Sequence, residues 1–252
     1  MLALGSNTLP AGGIKEVPKQ LADFLPRGSI HLNSKVHSIA PGGSTQTSQI
    51  LNVRSGSNPS DRTSDYEAVR GVIIAVEGPE SEKLLGKFLT DSPSKSGEPK
   101  ATVCIYFASP FPPPTEAKEP LLFLNGTEKG IVNNLCFPSI VAPSYAPVGK
   151  TLVSVSLIGT HSGTSDEELE KRVRAEVSEW FGQSEIDKWR HLRTYRIPFA
   201  QPNQDPPSSQ KREVRLGRGL YVCGDPRDAA TFDSAMVSGR RAAEALLEDL
   251  RD

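Results

Sequence analysis

The closing segment constrains this chain more than any other stretch. Leu220-Tyr221-Val222-Cys223 is an apolar run that stops at Gly224-Asp225, and a polar loop then leads into a helical pattern from about Ser234 to Leu250. A short apolar run bounded by glycine reads as a buried strand. The helix beyond it leaves amide N–H groups unpaired and carries positive partial charge at its start, so such a unit can receive an electron-rich oxygen or a phosphate. Gly224 lets a ligand come close to the backbone, and Asp225 offers a carboxylate to hydroxyl donors. Ser238-Gly239 and Ala242-Ala243 give the helix a face of small residues that fits closely against another layer. The same pattern also describes a plain packing helix with a capped start.

The chain before this unit divides into two blocks. Pro10-Ala11-Gly12-Gly13 is a tight loop, and a helix over Ile14–Phe24 follows, closed by Pro26 and Gly28. Strands are expected at Ser29–Leu32, Lys35–Ile39 and Ile50–Arg54, and the polar stretch Arg54–Asp65 reads as an exposed loop. Val69–Val76 is β-branched and apolar throughout, as in a strand buried on both faces, and Pro79–Leu89 reads as a helix. Thr90–Lys100 has the composition of a linker. Beyond it, Ala101–Phe107, Leu121–Leu124, Ile131–Phe137 and Thr151–Ile158 form a mostly antiparallel series, while Phe111–Pro114 marks an edge or loop. Thr164-Ser165-Asp166 caps an amphipathic helix to about Phe181, with Leu169, Val173, Val177 and Trp180 on one face. Trp189–Tyr195 is a further strand, and Gln201–Arg212 a polar loop.

Charge and composition remove several classes. Among 252 residues, 29 Lys and Arg face 30 Asp and Glu, a net charge of −1, so nucleic acid and anionic lipid are not expected partners. No apolar stretch reaches the length of a membrane span, and no secretion signal opens the sequence. The three cysteines, Cys104, Cys136 and Cys223, have no Cys-x-x-Cys spacing and read as free thiols of an intracellular protein. His31, His37, His161 and His191 lack metal-ligand spacing, so no metal is expected. Asn125-Gly126-Thr127 matches a glycosylation sequon but reads as a hairpin turn. Asp166-Glu167-Glu168 complements a helix dipole and has no catalytic reading.

Two segments carry a resemblance. Gly-Leu-Tyr-Val-Cys-Gly-Asp at 219–225, with Ala-Thr-Phe-Asp-Ser-Ala-Met-Val-Ser-Gly-Arg-Arg-Ala-Ala-Glu-Ala-Leu at 230–246, resembles the closing flavin motif of the FAD-dependent amine oxidase and carotenoid desaturase superfamily. Leu9-Pro10-Ala11-Gly12-Gly13-Ile14 is similar to the Pro-x-Gly-Gly segment of its desaturase branch. The resemblance implies that Asp225, after Gly224, contacts the sugar or ribityl chain of FAD. It places the backbone of Thr231 and Phe232 at the pyrimidine end of the flavin ring, and the backbone of Val36 at the adenine. Ile73–Pro79 and Tyr195–Pro202 resemble further cofactor-side segments. No residue receives an acid, base or nucleophile role.

One family feature is missing from these 252 residues: no Gly-x-Gly-x-x-Gly follows a strand, and Gly217-Arg218-Gly219 precedes one. The expectation is therefore a later portion of such an enzyme, lacking the nucleotide-binding βαβ unit. The fold class implied is mixed α/β: a partial FAD-binding domain from both chain ends (1–89 and 201–252) around a central, mostly antiparallel substrate domain (90–200). The resemblance implies hydride transfer from a C–H or C–N unit of a small-molecule substrate to flavin. The alternative is a non-catalytic form that pairs with a complementary chain or another copy. The compartment implied is cytoplasmic, or a plastid by analogy with the desaturases.

Overall fold

The computed structural model describes residues 8–46, 48–56, 61–68, 70–86, 88, 99–110, 112, 120–127, 129–204, 211–217 and 219–251. Val69, Leu89, most of Thr90–Lys100 and of Phe111–Pro114, part of Gln201–Arg212, and Arg218 lie outside them. The helices are α1 (Glu16–Asp23), α2 (Gly78–Leu85), α3 (Pro138–Val141), α4 (Asp166–Phe181), α5 (Gln183–Ile186) and α6 (Phe232–Asp249). The strands are β1 (Ser34–Pro41), β2 (Gln49–Ser55), β3 (Thr63–Ala68), β4 (Val72–Ile74), β5 (Lys100–Ser109), β6 (Leu122–Leu124), β7 (Val132–Cys136), β8 (Thr151–Ile158), β9 (Arg190–Gln201), β10 (Arg215–Gly217) and β11 (Leu220–Val222). The class is mixed α/β, as the sequence implies.

Contacts group the chain into two compact units, Met1–Arg27 with Lys100–Ala200, and Gly28–Pro99 with Gln201–Asp252. α1 thus groups with the central strands and not with the block that follows it. Its leading loop is bonded there: Ser144 Oγ donates to Ala11 O at 2.6 Å and the Tyr145 hydroxyl to Pro10 O at 2.9 Å.

In the first unit, β6-β7-β8-β5-β9 form one sheet, antiparallel through β6, β7, β8 and β5. Alternation along β5 and β8 sends Val103, Ile105, Phe107, Val153, Val155 and Leu157 to one face, where Leu169, Val173 and Val177 of α4 meet them. Each such fully buried aliphatic or Phe side chain is worth about 1.5–3 kcal/mol. Ser165 caps α4 by accepting from Glu168 N at 3.2 Å, as expected from the sequence.

The second unit holds two three-stranded sheets, β1-β2-β3 and β10-β11-β4. β4 and β11 are parallel, in the register Leu220↔Val72, Tyr221↔Ile73 and Val222↔Ile74. Both faces of this sheet are covered. Leu220, Val222 and Ile74 pack with Leu85 of α2 and Ile39 of β1, while Tyr221 and Cys223 pack with Ala242 and Ala245 of α6. The uninterrupted apolar run of β11 follows from that double burial.

Two local expectations change and a third holds. Ser29–Leu32 is not a strand: Ile30 and Leu32 are 50% and 80% exposed, and Asn33 takes a left-handed φ of 52° before β1 starts. Thr63 to Ala68, read as the end of a loop and its sequel, is β3, paired with β2 along its whole length. Asn125-Gly126 lies in the connection of the antiparallel pair β6–β7, the hairpin expected there. The Asn125 side chain organises it by donating to Lys129 O and Val132 O at 2.6 and 3.0 Å.

Candidate functional site

β11 leads directly to Gly224, where the backbone adopts φ 121° and ψ 173°. That region is essentially closed to residues with a Cβ. An added Cβ would also sit 3.3 Å from Pro226 Cδ. Conformation therefore calls for glycine, and a side chain would add a tight contact.

A buried hydroxyl fixes this bend to α6. Ser238 Oγ accepts from Gly224 N at 2.9 Å, and Gly224 O and Ala235 O both lie 2.9 Å away as acceptors for its proton. Ser238 is fully buried, so these bonds face no competition from water. The Ser-Gly pair in the helix is thus more than a small-residue face: its serine is the tether between strand end and helix.

Asp225 begins a helical turn, Asp225–Arg227, that packs beside α6. Burial pushes its carboxyl above the ordinary carboxylate range, the Glu77 carboxylate adds to the shift, and its own backbone N–H opposes it. Among the described residues no other group donates to that carboxylate. A partly desolvated carboxylate short of donors suits a ligand that brings hydroxyl groups.

The start of α6 divides its donors. Thr231 is the N-cap: its hydroxyl accepts from Ser234 N at 3.1 Å and its carbonyl from Ala235 N at 3.0 Å, while its own N–H donates to Ala229 O at 2.7 Å. The Phe232 and Asp233 N–H groups have no acceptor among the described residues, and these are the donors the helix presents. The Phe232 ring, 53% exposed, and Met236, 46% exposed, stand beside them.

The loop between Asp225 and α6 is held from both sides. Arg241 donates through Nη2 to Arg212 O at 2.7 Å, and through Nη1 to Arg227 O and Asp228 Oδ2, each at 3.3 Å. Gln204 Nε2 donates to Asp228 O at 2.6 Å, and its Oε1 accepts from Ala230 N at 2.9 Å. Sequence reasoning did not single out Ser238, Arg241 or Gln204 for these roles. Arg241 stands inside the helix motif, yet spacing along a helix says nothing of which carbonyls a side chain reaches.

Val36 lies on β1, the edge strand of its sheet, at a bulge where the register with β2 shifts between Val36 and Ser38. Its side chain packs against the core of Leu220 and Val222, and its Cα is in register with Val53 of β2. The end of β4 is also close, with Val76 O 4.0 Å from the position of a Gly224 Cβ. Gly224 and Asp225 thus stand at the end of β11 and Thr231 and Phe232 at the start of α6, with the loop between them held by Gln204 and Arg241, while Val36 packs against the core of Leu220 and Val222. No set of three or more His, Cys, Asp or Glu side chains that could hold a metal is present among the described residues. No helix of the described residues is long and apolar enough to cross a membrane.

Comparison with solved structures finds the same fold in proteins of low identity. A protein assigned as a protoporphyrinogen oxidase from Exiguobacterium sp. 255-15 matches with a TM-score of 0.69 and 14% identity, over 94% of this chain and 52% of that one. A reduced UDP-galactopyranose mutase matches with a TM-score of 0.67 and 12% identity, over 94% and 52%. Putrescine oxidase bound to putrescine matches with a TM-score of 0.65 and 11% identity, over 94% and 53%. The chain therefore spans about half the length of these structures. A comparison with curated proteins gave no match. The sequence matches the family described as flavin containing amine oxidoreductase over residues 1–247, which is nearly all of it. The chain belongs to the flavin containing amine oxidoreductase family.

Proposed function

We propose that this chain forms part of an FAD-dependent oxidoreductase acting on a small molecule, and that Gly224, Asp225 and the start of α6 hold the cofactor. The observation that carries the reading is the partly buried Asp225 carboxylate, without an external donor among the described residues, at a strand end tethered to a helix whose first N–H groups find no acceptor there. These residues fit a flavin dinucleotide. Asp225 would accept from ribityl or ribose hydroxyls, and Gly224 would let that chain pass against the backbone. The Phe232 and Asp233 N–H groups, with the helix dipole, would stabilise negative charge on the electron-rich end of the ring. The edge backbone of Val36 would meet the adenine.

When bound, FAD supplies the hydride acceptor for oxidation of a C–H or C–N unit. The contribution of this chain is binding, orientation and charge stabilisation, and no side chain is assigned as nucleophile, acid or base. The Pro-x-Gly-Gly segment at 10–13 supports a place near the desaturase branch, and the plastid or cytoplasm remains the compartment proposed with it.

Titration of the purified chain with FAD, read by flavin absorbance and fluorescence quenching, tests the proposal. Saturable binding that weakens roughly tenfold or more in Asp225→Ala, the scale of one charged hydrogen bond, is the expected result. A chain that stays colourless and binds no FAD would replace it with the non-catalytic, partner-binding reading.

A further inference from the structure

A cavity of about 520 Å³ opens in the first unit, where β5 ends and β9 begins. Its size lies within the range of small-molecule sites, on the order of 300–1,000 Å³. Ala108 and Leu152, paired across β5 and β8, form its apolar base, with Tyr145, Pro147 and Leu192 around them. It is separate in sequence and in unit from the residues assigned to the flavin.

The charges around it are one-sided. Lys150, Lys188 and Arg190 line it, and among the described residues no carboxylate does; the nearest one identified, Glu185, lies behind the wall, accepting from Ser109 Oγ at 3.3 Å. Lys188 has a distant ion pair with Glu185, at 3.9 Å. The side chains of Lys150 and Arg190 form no ion pair or hydrogen bond among the described residues. In a chain of net charge −1, this grouping does not reflect a generally basic surface. Cations beside a low-dielectric wall attract an anion more strongly than the same cations in open water. They also oppose an amine, which would enter as a cation.

We propose that this cavity binds a small apolar carboxylate, with its alkyl or aryl body on Leu152, Tyr145 and Leu192 and its head group facing Lys150 and Arg190. The geometry of an arginine fork suits a carboxylate in particular. The ligand is distinct from any amine substrate, so the site supplies recognition of an acidic effector or of an acidic portion of a larger molecule.

Calorimetric titration of the full chain with decanoate, kept below its micellar concentration, tests this without any flavin. Decanoate is expected to bind with one site, with acetate and decylamine each at least tenfold weaker, since one lacks the body and the other reverses the charge. Lys150→Glu and Arg190→Glu are each expected to weaken decanoate at least tenfold. Lys150 is exposed in a loop, so its variant keeps the test alive if Arg190→Glu does not fold. Equal binding of decylamine, unchanged affinity in a folded Lys150→Glu variant, or no decanoate binding at all would each overturn the proposal. None of these outcomes depends on whether FAD binds.

Discussion

Ser238 Oγ lies 2.9 Å from both the amide nitrogen and the carbonyl oxygen of Gly224, joining the end of β11 to the second turn of α6. The bond fixes where the carboxylate of Asp225 stands relative to the open N–H groups of the helix. A hydroxyl that is fully buried and bonded on both sides leaves unsatisfied backbone groups behind when removed.

Ser238→Ala should therefore cost about 1–3 kcal/mol, most of it from the stranded Gly224 amide. Urea unfolding would read the loss, and hydrogen exchange at Gly224 should accelerate more than exchange in the first unit. Gly224→Ala should cost a similar amount by a different route, since its φ of 121° admits almost no other residue. A Ser238→Ala variant as stable as the parent would mean that the hydroxyl does not hold the bend.

Asp225 gives a stability prediction with a definite sign. Its folded-state pKa is raised above the ordinary value, chiefly by burial. A raised carboxylate pKa means that the fold prefers the protonated form. The favourable contribution is complete below the unfolded pKa and is lost as pH rises through the folded one. At neutral pH the ionised group thus costs stability, and Asp225→Asn should raise the melting temperature of the ligand-free chain at pH 7 with little effect near pH 3. The same substitution should weaken FAD binding. A site that stabilises its protein when neutralised and loses its ligand is the expected trade-off for a carboxylate kept for binding.

How much of this was legible depended on whether the signal was local. Val69–Val76, which contains β4, and Leu220–Cys223, which contains β11, read as buried strands because double burial removes any need for polar alternation. α4 was legible from its cap and its apolar spacing. β3 was not, because Thr63 to Glu67 are exposed on both sides, so pairing with β2 leaves no apolar period to read. Ile30 and Leu32 misled for the opposite reason: they alternate like a strand but find no core. At the site, Gly224 and Asp225 stood out as residue types at a strand end. The tether and clamp did not, since Ser238 reaches the Gly224 amide 14 positions away and Arg241 the Arg212 carbonyl 29 positions away.

Asn125 and Glu176 make a second kind of tether. Glu176 on α4 accepts from Ile131 N at 2.7 Å, from Val132 N, and from Asn125 Nδ2 at 2.9 Å, so a helix carboxylate closes the β6–β7 connection. Asn125→Asp replaces a donor by a second carboxylate facing the first. It should destabilise the chain by about 1–3 kcal/mol at pH 7, and by more than Asn125→Ala, which removes the donors without adding a charge. Urea unfolding of both variants would show the difference, and equal losses would exclude charge repulsion as the cause.

Arg196 bridges the turn between β8 and α4. Its Nη1 donates to Thr160 O and His161 O at 2.9 and 2.8 Å, and its Nη2 to Thr164 O at 2.7 Å and Asp166 Oδ1 at 2.6 Å. His161 sits in that turn with a left-handed φ of 48°, a strain the surrounding bonds must hold. A lysine carries the same charge but radiates from one nitrogen, and it cannot reach acceptors spread along the fork. Arg196→Lys should therefore cost about 1–3 kcal/mol despite conserving charge, and raising the salt concentration should change the deficit little, because the lost bonds are mostly to carbonyls. Measuring the unfolding free energy of both proteins at low and high salt separates the two causes: a deficit that vanishes in salt would assign the role of Arg196 to its ion pair with Asp166 instead of to the turn.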